Sequence, residues 1–125
     1  MAKKKRLSNT EKLVDTVAKG MQEKKAKDII TLNLTNLDNA VCDYFIICHG
    51  DSDRQVDAIA DSIQEMVKKE LGEHPWHTEG YKNAEWILLD YVNVVVHIFQ
   101  REKREFYNIE RLWADADIHQ IENRA

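Results

Sequence analysis

Hydrophobic positions along the chain alternate between a helical and an extended period. Leu13, Val14, Val17, Ala18 and Met21 recur at helical spacing. Ahead of them, Ser8-Asn9-Thr10-Glu11 has the spacing of a capping box, in which Ser and Glu satisfy the first free amides of a helix. Gly20 weakens this helix slightly, and Lys24, Lys25 and Lys27 suit the negative end of its dipole. From Asp28 the period falls to two: Ile30, Leu32 and Leu34 alternate with Thr31, Asn33 and Thr35, a half-buried strand. Asn36 to Asn39 reads as a turn. Asp43 to Cys48 is a continuous β-branched and aromatic run, as in an inner strand covered on both faces.

Ser52-Asp53-Arg54-Gln55 is a second capping box, and Val56, Ile59, Ala60, Ile63, Met66 and Val67 follow it at helical spacing up to Gly72, a natural helix stop. His77-Thr78-Glu79 reads as a short strand. Trp86 to Tyr91 and Asn93 to Phe99 are strong strands with almost no room between them, so Val92-Asn93 is predicted to be a tight turn in which Asn takes the left-handed conformation. Phe106, Ile109, Leu112 and Trp113 predict a short amphipathic helix. The order is helix, two strands, helix, three strands, helix. It predicts an α/β (α+β) domain with a mixed five-stranded sheet and its helices mainly on one face.

That architecture leaves one sheet face to account for. Ile87, Leu89 and Tyr91 share a face with Val94, Val96 and Ile98; Trp86, Leu88 and Asp90 point the other way, with Val95, His97 and Phe99. Both faces are apolar, yet only one can meet the two long helices. The face carrying Trp86, Asp90, His97 and Phe99 either binds another protein or lies beneath the C-terminal helix.

At 125 residues the chain is one domain long, able to bury roughly two-thirds of its unfolded surface without disulfides or metal. The expected division is a basic flexible start over residues 1–7, a folded core over 8–113 and an acidic tail over 114–125. With a net charge of −4, the chain is not built overall as a polyanion binder. The one basic run, Lys3 to Arg6, reads as a solubilising terminus. No apolar stretch approaches the length of a membrane span, and no secretory signal is visible, which makes the cytoplasm the expected address. Cys42 and Cys48 have neither redox nor zinc spacing; on one strand they would lie up to about 20 Å apart, as ordinary thiols.

Gly50-Asp51-Ser52-Asp53, at a strand-to-helix junction, resembles the opening motif of nucleotidyltransferases, where amides hold phosphate and carboxylates hold magnesium. Such enzymes also need two carboxylates one residue apart on the strand after the helix; only Glu79 lies there. Ser52 then reads as a helix cap, with the acids stabilising the dipole. His74-x-x-His77 lacks further ligands at zinc spacing. No catalytic residue, metal or cofactor is expected, and no RNA-reading signature occurs.

Five ordered blocks resemble the ribosomal silencing factor (Iojap-like) family. They are Asp43-Tyr-Phe-Ile-Ile with Gly50-x-Ser52-Asp53-Arg54-Gln55-Val56; Glu79-Gly80; Glu85-Trp86-Ile-Leu-Leu-Asp90-Tyr91; Val94-Val-Val-His97-Ile-Phe99; and Arg104-x-Phe106-Tyr107-x-Ile109-Glu110-x-Leu112-Trp113. The resemblance runs from the first helix to Trp113. His49 and Asp51 depart from it, flanking Gly50 where smaller or neutral residues are common. It implies a nucleotidyltransferase-like fold without the catalytic carboxylates. It also implies binding to the large ribosomal subunit through large-subunit ribosomal protein fourteen, with joining of the small subunit blocked and translation silenced in starvation or stationary phase. Off the ribosome, a homodimer is the expected alternative state. Combined with strand parity, it points to Trp86, Asp90 and His97 as contacts, with Trp76, His77, Tyr81, Tyr91 and Tyr107 around them. An RNA-binding large-subunit assembly factor and, behind it, a nucleotidyltransferase are the rival readings.

Overall fold

The computed structural model describes residues 8–122; the basic run Lys3 to Arg6 lies outside them. The elements are α1 (Asn9–Glu23), β1 (Lys27–Asn33), β2 (Tyr44–Gly50), α2 (Asp53–Leu71), β3 (His77–Glu79), β4 (Trp86–Asp90), β5 (Val94–Gln100), α3 (Arg101–Tyr107), α4 (Ile109–Leu112) and β6 (Asp117–Ile121). The sheet runs β3-β4-β5-β2-β1-β6. Only β2 and β5 pair in parallel, and α2 lies on the path between them; the other neighbours are antiparallel.

The helix starts follow from their caps. Glu11 N–H donates to Ser8 Oγ at 3.1 Å and Ser8 N–H donates to Glu11 Oε1 at 3.0 Å, a complete box. At α2 only half of the box forms. Ser52 Oγ accepts from Gln55 N–H at 3.1 Å, but the Gln55 side chain accepts from Asp51 N–H at 2.8 Å and donates to the Lys24 and Lys25 carbonyls at 3.2 and 3.3 Å. It therefore ties the start of α2 to the end of α1. Gly72 ends α2 at φ +67°.

Helices α1 and α2 lie side by side on one sheet face. Leu13, Val17, Met21, Val56, Ile59, Ile63 and Val67 pack there against Ile46, Cys48, Ile87, Leu89, Val96 and Ile98. A second apolar layer covers the opposite face, built from Leu32, Leu34, Phe45, Ile47, Phe99 and Ile109 with Trp86, Val95 and Trp113 against it. Each buried aliphatic or aromatic side chain contributes about 2 kcal/mol, so both layers bear on stability.

Four expectations are corrected. The sheet has six strands, because the predicted acidic tail returns as β6 along β1, pairing Ile118 with Leu32 and Ile121 with Ile29. Four of its five residues are exposed, so it is held by backbone pairing and carries no apolar period to read. In the β4–β5 turn it is Val92 that has positive φ, at +76°, with its N–H donating to Asp90 Oδ1 at 2.8 Å. A side-chain acceptor thus fixes a conformation that β-branched residues avoid. The last helix begins earlier, at Arg101, and breaks at Asn108, φ +44°, into α3 and α4. Cys42 precedes β2 instead of lying on it, its thiol 3.3 Å from the Tyr44 carbonyl.

Gly80 follows β3 at φ +90°, and a Cβ there would fall 1.9 Å from the Trp86 carbonyl oxygen. Gly80→Ala is expected to cost about 3 kcal/mol or more through strain and backbone displacement, measured as a fall in the urea midpoint at unchanged slope.

Candidate functional site

Strand register decides which side chains share the face away from α1 and α2. Across β3, β4 and β5, His77 lies beside Asp90 and Asp90 beside Val95; Glu79 lies beside Leu88 and Leu88 beside His97; Trp86 lies beside Phe99. Trp86, Asp90 and His97 therefore occupy one face, and His77 joins them.

The C-terminal segment covers the middle of that face and leaves its β3–β4 margin open. Phe99 and Ile47 are fully buried, and His97 is 5% exposed. Trp86, Leu88, Asp90 and Val95 are half-buried, and His77 and Glu79 are exposed. The C-terminal helices thus cover part of the second face, and the rest is open to solvent.

At the centre, the Trp86 indole N–H donates to His97 Nδ1 at 3.1 Å. Its ring stacks on Phe99 with centroids 4.8 Å apart, and Tyr107 of α3 lies at the same centroid distance. His97 meets Phe45 edge-on at 4.7 Å, and Phe45 meets Trp113 at 5.8 Å. Because Nδ1 accepts, the imidazole proton is on Nε2, which is buried without a partner. Burial pushes the His97 pKa down to about 4, so the ring is neutral at physiological pH. His97, expected as a contact, instead supports Trp86 from beneath.

At the open margin Trp76 is 78% exposed, its backbone N–H donating to the Asp90 carbonyl at 2.7 Å. With Asp90, Val95 and the exposed Val41 and Val92 it lines a groove of about 420 Å³. Asp90 Oδ1 is held by the Val92 amide, which fixes the carboxylate beside this apolar groove. His77 Nε2 lies 2.9 Å from the Glu79 carboxylate. Further along, Tyr107 and Trp86 line a shallow recess with Gly80, Asn83 and Glu85, and Phe106 stands exposed beside Tyr107.

Two predicted residues lie elsewhere. The Tyr81 hydroxyl accepts from Gln64 Nε2 at 2.6 Å and donates to Asp61 at 3.4 Å, placing the ring on the α2 side, where burial pushes its pKa up to about 12. Tyr91 is buried in the same helix-side core, its hydroxyl without a partner and its pKa raised by burial. Neither joins Trp86. Conversely, Val41, Val92 and Phe106 belong to the open face and are not among the expected contacts; each stands beside other apolar residues in the sequence, so no break in the pattern marks them.

The turn after β2 is occupied by the fold. Asp51 accepts from Lys27 Nζ at 2.6 Å and Arg101 Nη2 at 2.9 Å, and these hydrogen bonds hold its carboxyl below the usual range. The amides of Asp51, Gln55 and Val56 are bonded to Gln55 Oε1, Ser52 Oγ and the Ser52 carbonyl. Ser52 is thus a cap, and those donors are not available to a phosphate. Burial pushes the thiols of Cys42 and Cys48 up to about 11 and about 12, away from thiolate chemistry. Among the described residues no three His, Cys, Asp or Glu side chains converge on a metal position, and no helix is long and apolar enough to cross a membrane.

Residues 7–125 match the family described as ribosomal silencing factor during starvation. The chain is 39% identical over 116 residues to ribosomal silencing factor RsfS of Halalkalibacterium halodurans, covering 93% of this chain and 97% of that one. It is 39% identical over 114 residues to the protein of the same name from Bacillus subtilis, covering 91% and 95%. Its fold is similar to a crystal structure of a Chromobacterium violaceum protein, with a TM-score of 0.80 and 33% identity over 86% of this chain and 88% of that one. With a family match across nearly its whole length and relatives matched end to end, the chain belongs to the ribosomal silencing factor family.

Proposed function

We propose that this protein binds the large ribosomal subunit through large-subunit ribosomal protein fourteen and sterically prevents the small subunit from joining, so that translation is silenced when nutrients are short. The observation that carries this reading is the open margin of the second sheet face: exposed Trp76 beside Asp90 at one end of β4, and Trp86 with Tyr107 on an aromatic support at the other. Aromatic anchors with one fixed charge are the composition of a protein hot spot. Asp90 suits a basic side chain of a ribosomal protein, and His77 lies next to it in the sheet. Occlusion requires no chemistry, only that a domain of this size occupy ground the small subunit needs, in the cytoplasm and without cofactor. Off the ribosome the protein is expected to pair with itself.

The direct test is sedimentation of purified subunits with and without the protein, at a magnesium concentration that supports joining. The expected outcome is co-migration with the large subunit and fewer joined ribosomes; a protein left at the top of the gradient overturns the reading. Trp76→Ala is expected to cost about 2 kcal/mol, roughly 30-fold in affinity, without unfolding the domain. Asp90→Asn keeps an acceptor for the Val92 amide while removing the charge, so it should weaken binding and leave stability nearly unchanged.

The support under Trp86 has a signature of its own. His97 stays neutral in the fold down to about pH 4, whereas in the unfolded chain it takes up a proton below its ordinary value of 6.5. Its contribution is therefore whole above pH 6.5 and is lost as pH falls toward 4, by about 3 kcal/mol in all. Urea unfolding across that window should show the decline, and His97→Gln should remove the larger part of it.

A further inference from the structure

Arg104 holds α3 and α4 to the sheet from a buried position. Its side chain is 9% exposed, and Nε donates to Glu110 Oε1 at 3.0 Å, a bond internal to the α3–α4 segment. Two bonds cross to the sheet: Nη1 donates to His49 Nδ1 at 2.9 Å and, at 3.4 Å, to the Lys27 carbonyl. The short one is conditional. A guanidinium has donors only, so His49 Nδ1 must present a lone pair, with the ring neutral and its proton on Nε2. A second proton on His49 would turn that hydrogen bond into a contact between two cations.

The surroundings decide how that contact responds. His49 is faced by Arg104 and Arg101 from α3, by Asp28 from β1 and by Asp51 from the turn after β2. Glu110 of α4, Glu105 of α3 and Gln120 of β6 line the same recess, and Lys27 holds Asp51. Burial and the two arginines outweigh the acids and keep the His49 pKa below 6.5. Beside the pair lies an open polar cavity of about 550 Å³, lined by Asp28, Glu105, Glu110 and Gln120, into which the guanidinium can swing and through which water reaches the ring.

We propose that His49 and Arg104 form a proton-operated latch: protonation of His49 displaces the Arg104 guanidinium into the neighbouring cavity and loosens α3 and α4 from the sheet. What then moves is Tyr107 beside Trp86, together with Ile109 and Trp113 over Phe45. That this acidification also weakens docking rests on the function proposed above; the latch itself is read on the protein alone, so either can fail without the other.

Once the latch is open, burial and the Arg104 charge no longer hold His49 below its ordinary value. Between about pH 7.5 and about pH 5.5 the opening equilibrium should therefore rise by up to about tenfold. His97 stays neutral in the fold through this window and takes up a proton only where the whole fold opens, which the protection of the β5 amides reports separately. The experiment is amide hydrogen exchange of the full chain at the two pH values, corrected for the intrinsic exchange rate, read over α3 and α4. Wild type should lose protection there by about tenfold on acidification. His49→Asn, whose Oδ1 can take the place of Nδ1, should show no such change, and Arg104→Met should be poorly protected at both values. Equal protection of wild type at both pH values, or acid loosening that persists in His49→Asn, overturns the proposal. As a measurement independent of how the His49 variant folds, the His49 ring is titrated by NMR in wild type and Arg104→Met. The pKa should rise toward 6.5 in the variant, and an unchanged value also overturns the latch.

Discussion

A mixed sheet that buries apolar side chains on both faces needs two covers, and α1 and α2 both lie on the same one. Among the described residues, a seven-residue helix, a four-residue helix and the loop around Leu34, Leu37 and Ala40 remain for the other. These cannot span six strands. The middle of the second face is closed by Ile109 and Trp113 against Phe45 and Ile47, while the β3–β4 margin stays open. The open margin is therefore what these short elements leave uncovered, and it is the surface on which the proposed docking rests.

Because the second cover is thin, its aromatics must hold one another. Trp86 is fixed on one side by Phe99, approached by Tyr107, and hydrogen-bonded by its indole to His97. The aromatic contacts add about 1 kcal/mol each beyond their area, and under the proposed function they would cut the entropy lost on docking, because the anchor is already in place. The cost is a histidine with one nitrogen unsatisfied and a pKa pushed down to about 4. A neutral imidazole is the condition for this platform, as it is at His49 under Arg104. Both halves of the thin cover thus rest on histidines that must stay unprotonated.

Strand parity made half of this legible in the residues alone. A period of two separates Trp86, Asp90 and His97 from Ile87, Leu89 and Tyr91 without any knowledge of the partner strands, and the observed register keeps that division. What parity cannot supply is depth. His97 and Asp90 alternate identically, yet one lies under α3 and α4 and the other at the rim. Tyr81 could not be placed, because its direction depends on Gly80 turning at positive φ and on a hydroxyl captured by Gln64. β6 escaped notice for a different reason: an edge strand held by its backbone, with four of five side chains in water, has no pattern of its own. Helix caps were legible to the extent that they are local. Ser8 with Glu11 forms as the spacing requires, whereas Gln55 leaves its box for the end of α1, a partner thirty residues away that spacing does not show.

The far end of β2 completes the account. A strand leading through Gly50 and Ser52 into a helix is a place where backbone amides can meet phosphate, but here the amides of Asp51, Arg54, Gln55 and Val56 have partners within the chain. Asp51, which would repel an anion, is the residue that draws Arg101 in and so starts α3 where β5 ends. One turn further on, Arg104 reaches His49, on the other side of Gly50. The charged groups around this turn are thus consumed in attaching the short helices that form the second cover. Electrostatics that could have served chemistry at one end of the sheet instead position the aromatics at the other. Under the function proposed above, the rim around Trp76, Trp86 and Asp90 is where a partner would complete the layer that the short helices leave open.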